Sequence, residues 1–213
     1  MIRDDFVLRL IRQAARSVAR ALGLARQQEQ PEAFATLEDA ARGQVGLALS
    51  VADVLPADQV LALLSGTEGL DVGRAAAFAA LLGARATIAQ DQGDLERFRI
   101  SGVRALELWA GAVEAGLPTD DTDVGARMDA LAQALGPAQL APQVLAALAT
   151  YAARQGRLAD AEDWLGVMLD RCQPGAVEQA RAFYGRLLSR PEAELEAGGL
   201  TRDEVRQGLA SLT

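Results

Sequence analysis

Apolar residues recur at helical spacing along almost the whole chain, and no four-residue run reads better as a strand. Gly, Pro and capping residues punctuate that pattern. They predict helices over about 3–24, 31–53, 56–66, 71–92 and 95–115. Pro31 and Pro56 suit helix starts, Asp71 suits an N-cap, and Gly93-Asp94 suits a tight reversal. After the loop-like stretch 116–123, further helices are predicted at about 124–135, 138–155, 158–171 and 175–189. A last helix follows Pro191, with Thr201 and Glu204 spaced as a capping box. Connections this short make successive helices antiparallel neighbours.

One hairpin pattern occurs twice. Leu145, Leu148, Ala149, Ala152, Gly156, Leu158, Ala161, Leu165, Met168, Leu169 and Pro174 follow the order of a tetratricopeptide repeat. Small residues let the first helix approach the second, and Gly permits the reversal between them. A weaker copy runs through Leu82, Ala86, Ala89, Gly93, Leu95, Ala105 and Leu106. Phe98 there replaces a small residue and Arg85 replaces a leucine. Both turns read Gln-Gly-x-Leu, at Gln92-Gly93 and Gln155-Gly156. The expected fold is all-α, a tetratricopeptide-like stack of antiparallel helical hairpins (an α–α superhelix) with about nine to eleven helices. It is expected as a single domain over 1–213. Residues 1–26 form a basic N-terminal helix, 71–115 and 138–174 the clearest hairpins, and 191–213 an acidic helical tail. A non-repeating helical bundle is the rival all-α arrangement.

The chain also resembles a bacterial family of tetratricopeptide-like proteins known only as a domain of unknown function. The resemblance rests on the opening run from Arg3 to Gln13, on Leu61, Leu63 and Leu64, and on the Gly69-Leu70-Asp71 turn. Both Gln-Gly hairpins, Phe183-Tyr184-x-Arg186-Leu187-Leu188 and Asp203-Glu204-Val205-x-x-Gly208-Leu209 complete it. It implies a helical-repeat fold and brings no catalytic residues.

Composition narrows the chemistry. The 213 residues are 50% hydrophobic but only 4% aromatic, with alanine dominant, which favours close-packed helices. The chain has no His, Lys or Asn. Without His there is no imidazole acid–base group, no Ser–His or Cys–His pair and no imidazole metal site. Without Lys there is neither a Schiff base nor a P-loop lysine. One cysteine, Cys172, cannot make an internal disulfide. It is expected to serve packing, and single-cysteine usage fits a reducing cytoplasm. No apolar leader region stands out at the start, and no segment approaches the roughly 18 apolar residues of a membrane span. The trace therefore implies a cytoplasmic protein that uses no cofactor and no metal.

Net charge is −8, which argues against nucleic acid as a partner. That charge is uneven. Residues 1–26 carry six arginines against Asp4 and Asp5, a balance of +4, which leaves −12 to the remainder. Val7, Ile11, Ala14, Val18 and Leu22 fall in one stripe of this first helix, while Arg9, Arg12, Arg16 and Arg20 fall in another on the far side. A basic amphipathic helix can dock into an acidic partner, pair with a second copy or lie on an anionic membrane. It can equally pack its apolar stripe on the body and leave its arginines in water.

In the repeat register, the groove face of the good hairpin presents Gln143, Ala146, Ala147, Thr150, Ala153 and Arg154. The weak hairpin presents Ala80, Gly83, Ala84, Thr87, Gln90 and Asp91. Peptide-holding grooves favour long polar side chains, whereas small residues suit another helix. The groove is therefore expected to be filled, by the first helix or by a second copy. The candidate partner-binding residues are Arg9, Arg12, Arg16, Arg20, Thr87, Gln90, Asp91, Thr150 and Arg154.

Other acidic features carry less. Counted from Asp121, a calcium loop would need ligands where Gly125 and Ala132 stand, so Asp123 reads as a helix N-cap. Glu192, Glu194, Glu196, Asp203 and Glu204 make a solvated acidic segment, and a carboxylate-dependent hydrolase would need more than nine aromatic residues to stack a sugar. Trp109, Tyr151, Trp164, Phe183 and Tyr184 sit in apolar periodic helices and are expected in the core. The functional expectation is a non-catalytic protein–protein interaction scaffold or self-associating module, not an enzyme. The alternative is a peripheral membrane or anionic-surface adaptor acting through the Arg-rich N-terminal helix.

Overall fold

A computed structural model describes residues 2–118 and 124–212, with side chains from Asp5 onward. The expected N-cap at Asp123 lies outside the described residues. The chain forms two compact units, Met1–Leu135 and Gly136–Thr213. Both are helical, and the boundary falls at the Gly136-Pro137 turn.

Unit 1 contains α1 (Ile2–Arg26), α2 (Gln30–Ala40), a π-turn (Ala41–Val45), α3 (Val51–Val54) and α4 (Ala57–Leu63). A two-residue hairpin, β1 (Ser65–Gly66) with β2 (Gly69–Leu70), leads into α5 (Val72–Asp91), α6 (Leu95–Glu114) and α7 (Val124–Leu135). Unit 2 contains a 3-10 turn (Pro137–Gln139), α8 (Pro142–Arg154), α9 (Leu158–Asp170), α10 (Ala176–Leu187), α11 (Glu192–Ala197) and α12 (Arg202–Ala210). Twelve α-helices are described, two more than the apolar pattern separates. The predicted helix over 31–53 breaks in two because Gly46, at φ +79°, ends the π-turn. The tail splits because Gly199, at φ +86°, turns the chain between α11 and α12.

The core of unit 1 is α5, whose twenty residues include sixteen buried ones. Asp71 caps it by accepting from the Arg74 amide at 3.0 Å. Ala and Gly make this helix apolar on every side. It thereby reaches the length and hydropathy of a membrane span, which corrects the expectation that no segment comes near. Burial of 89% of that window accounts for its composition without a membrane. Against α5 pack α6, joined through the predicted Gly93 turn, and α1. Val7 of α1 lies beside Gly73, where a Cβ would stand 3.2 Å from the Val7 Cα. Val18 and Leu22 lie beside Ala80, Gly83 and Thr87, so α1 runs in the same direction as α5.

The Gln-Gly turns have a common geometry. Gly93 and Gly156 take φ +74° and +77°, and in each the next amide reaches back five residues, Asp94 to Ala89 and Arg157 to Ala152. These are Schellman closures, in which a left-handed residue lets orphan carbonyls of the last turn be satisfied. Gln28 and Cys172 occupy the equivalent position with side chains, at φ 65° and 48°. Cys172 is exposed, which corrects its expected packing role: the reversal turns its side chain outward while the next residue, Gln173, is buried.

Arginines of the central hairpin hold the irregular segment 45–53. Arg74 donates to the Val45 carbonyl at 2.6 and 2.9 Å. Arg85 pairs with the Asp53 carboxylate through both terminal nitrogens and donates Nε to Ser101 Oγ at 2.8 Å. Arg104 donates to the Ala52 carbonyl at 3.3 Å and to Glu107 at 2.5 Å. This explains Arg85 at a position where the repeat pattern favours leucine. The segment brings the Asp53 carboxylate to Arg85 and the Val45 and Ala52 carbonyls to Arg74 and Arg104, and polar groups covered by packing need partners.

Candidate interaction site

In unit 1 the small-residue face of α5 forms the floor of an open cavity of about 500 Å³. Ala80, Gly83, Ala84, Thr87 and Gln90 line it, with Val18, Ala19, Leu22 and Arg26 from α1 on one side. Arg127, Ala130, Leu131 and Ala134 of α7 stand on the other, and Trp109 of α6 reaches it past Gly83. A Cβ at Gly83 would lie 3.2 Å from Trp109 Cη2, so the small residue there lets the indole come to the floor. Trp109 is 1% exposed, and its Nε1 has no hydrogen-bond partner among the described residues. Thr87 and Gln90 are exposed at the mouth, and the Thr87 hydroxyl donates to the Gly83 carbonyl at 3.1 Å. Among the described residues no carboxylate lines this cavity.

Five of the six groove positions expected of the weak hairpin line this cavity; Asp91 is exposed outside it. The expectation that the first helix fills the groove is corrected. Helix α1 forms one wall and leaves the mouth open at Thr87. The physical reason lies in its apolar stripe. Val7, Ile11, Ala14 and Val18 are buried in packing against the body, which holds the helix to one side of α5.

Unit 2 has a counterpart of about 600 Å³ on α8, lined by Ala146, Ala149, Thr150, Ala153 and Arg154. Leu165 and Phe183 give it an apolar floor, and Arg186 and Arg190 stand at its edge. Thr150 is exposed here as well, so this groove too is open within its unit. Four of the six expected positions line it; Gln143 and Ala147 do not. Phe183 meets Tyr184 edge-on, with ring centroids 5.4 Å apart. The Tyr184 hydroxyl donates to Glu162 at 2.6 Å. Burial, then that hydrogen bond, then the negative charge of Glu162 push the Tyr184 phenol well above its ordinary range.

The arginine stripe of α1 is exposed at Arg9, Arg12, Arg16 and Arg20. Arg9, Arg12 and Arg16 border a hollow with Asp5 and Leu8, and the Arg9 guanidinium lies 5.3 Å from the centre of the Phe6 ring. Arg20 does not line the hollow. Within unit 1 the hollow on α1 holds Arg9, Arg12 and Arg16 and the cavity on α5 holds Thr87 and Gln90, while Thr150 and Arg154 line the cavity of unit 2.

A family model described as "Family of unknown function (DUF6483)" matches residues 1–213. The chain belongs to this family. Neither the curated proteins nor the solved structures include a match to it. The match agrees with a family of unknown function that covers the whole chain, and it assigns no residue a role.

Residue patterns missed part of both cavities. Arg26, Arg127, Arg186 and Arg190 escape a reading made hairpin by hairpin, because each reaches its cavity from a neighbouring element. Trp109 and Phe183 are buried as expected, at 1% and 4% exposure, yet each also lines a cavity. Their only sequence signal was the run of small residues opposite them.

Proposed function

We propose that the protein is a non-catalytic cytoplasmic interaction module. Its hairpins stack in the tetratricopeptide manner, and the cavity of unit 1 holds a helical segment of a protein partner. The carrying observation is that cavity: an apolar floor of Ala80, Gly83, Ala84 and Trp109, with Arg26 and Arg127 among the residues that line it. Small floor residues admit a helix to close distance. Arginines at the side favour a segment with carboxylates beside its apolar face. The volume lies within the roughly 300–1,000 Å³ range of ligand-binding clefts. Among the described residues neither cavity is lined by a carboxylate or a thiol, which supports a binding role over acid–base or nucleophilic work. The shared direction of α1 and α5 suits a stack in which first helices lie side by side.

The test is differential capture. Thr87→Phe adds a ring to an exposed position and should close the mouth without disturbing the core. A partner held there is captured by the wild-type chain and by Val177→Ser, and lost with Thr87→Phe; adding the purified partner should also shift Trp109 emission. Capture indifferent to Thr87→Phe would overturn the assignment of the site.

A second reading, an anionic-surface adaptor, is favoured by one observation: Arg9, Arg16 and Arg20 are exposed on one helix. The apolar stripe of that helix is engaged, so insertion would first strip Val7, Ile11 and Val18 from the body. At about 1.5–3 kcal/mol each, that forfeits roughly 5–9 kcal/mol before the bilayer returns any of it. Any such attachment is therefore electrostatic. Co-sedimentation with phosphatidylserine vesicles at low salt tests it, and unaltered sedimentation removes it.

A further inference from the structure

Three helices of unit 1 run in one direction around its cavity. Val7 beside Gly73, with Leu22 and Thr87 on one lining, sets α1 parallel to α5. Helix α7 joins them. A Cβ at Gly83 would lie 3.8 Å from Leu131, and one at Gly102 would lie 3.1 Å from Leu135, one turn further on. Trp109 stands level with Gly83, and Gly102 lies two turns nearer the Gly93 reversal, so α7 advances toward the same end as α5. All three carboxyl-terminal ends therefore lie at the end of the cavity marked by Arg26 and Gln90, which belong to the last turns of α1 and α5. The last turns of α5 and α7 contain no basic residue, whereas that of α1 ends on Arg26. Arg26 is exposed and has no partner among the described residues. Arg127 stands toward the opposite end, one turn before Leu131, and is already engaged within the chain. Asp91 is exposed at the Arg26 end but lies outside the cavity.

Those ends give the cavity a direction. Terminal carbonyls carry partial negative charge, and a helix lying parallel to its three neighbours would add a fourth such end to theirs. Reversed, it brings its free amides, which are partly positive, to those carbonyls. Acidic residues also favour the first turn of a helix, so the same reversal carries their carboxylates to Arg26. The two preferences agree. The lining sets the rest of the segment. From Ala80 to Gln90 the floor spans about 15 Å, roughly three helical turns. Ala80, Gly83, Ala84 and Thr87 recur at helical spacing between walls that include Leu22 and Leu131, so large apolar side chains fit at every third or fourth position of the occupant.

We propose that the cavity of unit 1 selects an amphipathic helix of a partner protein that lies antiparallel to α1, α5 and α7, with an acidic first turn on Arg26. This deepens the interaction-module reading and rests on it.

The probes are two fluorescein-labelled peptides of about fourteen residues, each held helical by a hydrocarbon staple on its outer face and sharing one stripe of Leu and Ala. The first carries Glu in its first turn and Gln in its last; the second carries the reverse. Titrated with the full-length protein at low salt and followed by anisotropy, the first should bind roughly five- to tenfold tighter. Arg26→Glu should remove that preference, while Arg206→Ala, which deletes a paired surface arginine of unit 2, leaves it unchanged. Thr87→Phe should abolish binding of both. Direction is read separately, from nitroxides placed on Gln27→Cys in a Cys172→Ser background and on either end of the first peptide. The dipolar distance to position 27 should be shorter from the amino-terminal label. Equal binding of the two peptides, failure of both to bind, or a closer carboxyl-terminal label overturns the proposal. A sedimentation shift of the protein alone that is lost with Thr87→Phe would overturn it in favour of a second copy. If the peptides fail while partner capture stays sensitive to Thr87→Phe, this proposal falls alone. If capture is indifferent as well, the assignment of the site falls with it.

Discussion

Removing the Asp53 carboxylate should destabilise unit 1 by more than removing its arginine partner. The Arg85 side chain is 9% exposed and that of Asp53 is 40% exposed. Stripping one partner from a fully buried ion pair costs about 3–5 kcal/mol, because the remaining charge stays desolvated. This pair is only half-buried: water can reach the Asp53 side, and Arg85 keeps its bond to Ser101 Oγ. The cost of Asp53→Ala is therefore about 2 kcal/mol. Arg85→Met removes the buried charge itself and leaves Asp53 to solvent. Its main penalty is the orphaned hydroxyl of Ser101, which is 0% exposed, at about 1 kcal/mol. The double variant should resemble Arg85→Met, giving a coupling near 2 kcal/mol. Urea unfolding followed by Trp109 fluorescence in a Trp164→Phe background isolates unit 1. A loss of about 2 kcal/mol corresponds to a melting shift of roughly 6–10 °C for a unit of this size. Arg85→Met proving costlier than Asp53→Ala, or additive single effects, would refute the reasoning.

Three further outcomes follow from the geometry of unit 2. Cys172→Gly relieves a left-handed non-glycine residue at φ 48° and removes only an exposed thiol; after the entropy cost of glycine it should stabilise by about 0.5–1 kcal/mol in thermal unfolding. Gly208→Ala places a methyl group in the Tyr184 ring, with Cε1 and the hydroxyl each 2.5 Å from the new Cβ. It should cost about 2–3 kcal/mol and expose residues 199–213 to proteolysis. Tyr184 should ionise later than an ordinary phenol when absorbance is followed on raising pH. Its neutral form is favoured in the folded state, so its contribution is intact below the unfolded pKa of about 10 and is lost as pH climbs from there through the raised folded value. Tyr184→Phe should flatten that alkaline decline, and an unchanged slope would show that another group sets it.

Helix positions were legible because apolar spacing and capping residues are local properties. Asp71 and Asp94 cap α5 and α6, and Thr201 with Glu204 closes the capping box of α12, as their spacing requires. The break after Ala40 was less legible. Its apolar residues keep helical spacing through Val45, and only the left-handed turn at Gly46 ends the run. The small-residue faces of α5 and α8 were legible as faces, but their consequence was not. Ala, Gly and Thr read as a bed for the first helix or for a second copy, whereas the first helix stands to one side of α5 and within its own unit each face lines an open cavity.

Local sequence determined the helices, their caps, the Gln-Gly reversals and the chemistry that a chain without His or Lys must forgo. Tertiary structure decided what stands across from each small-residue face. Trp109 lies beneath Gly83, and Arg127, Arg186 and Arg190 arrive from elements outside the hairpin whose cavity they line. A spacing of 3.6 residues says which side of a helix a residue occupies, and it carries no information about the neighbour that side will meet. It likewise marked Arg85 as a misfit, because its partners Asp53 and Ser101 lie 32 and 16 residues away and only folding brings them together.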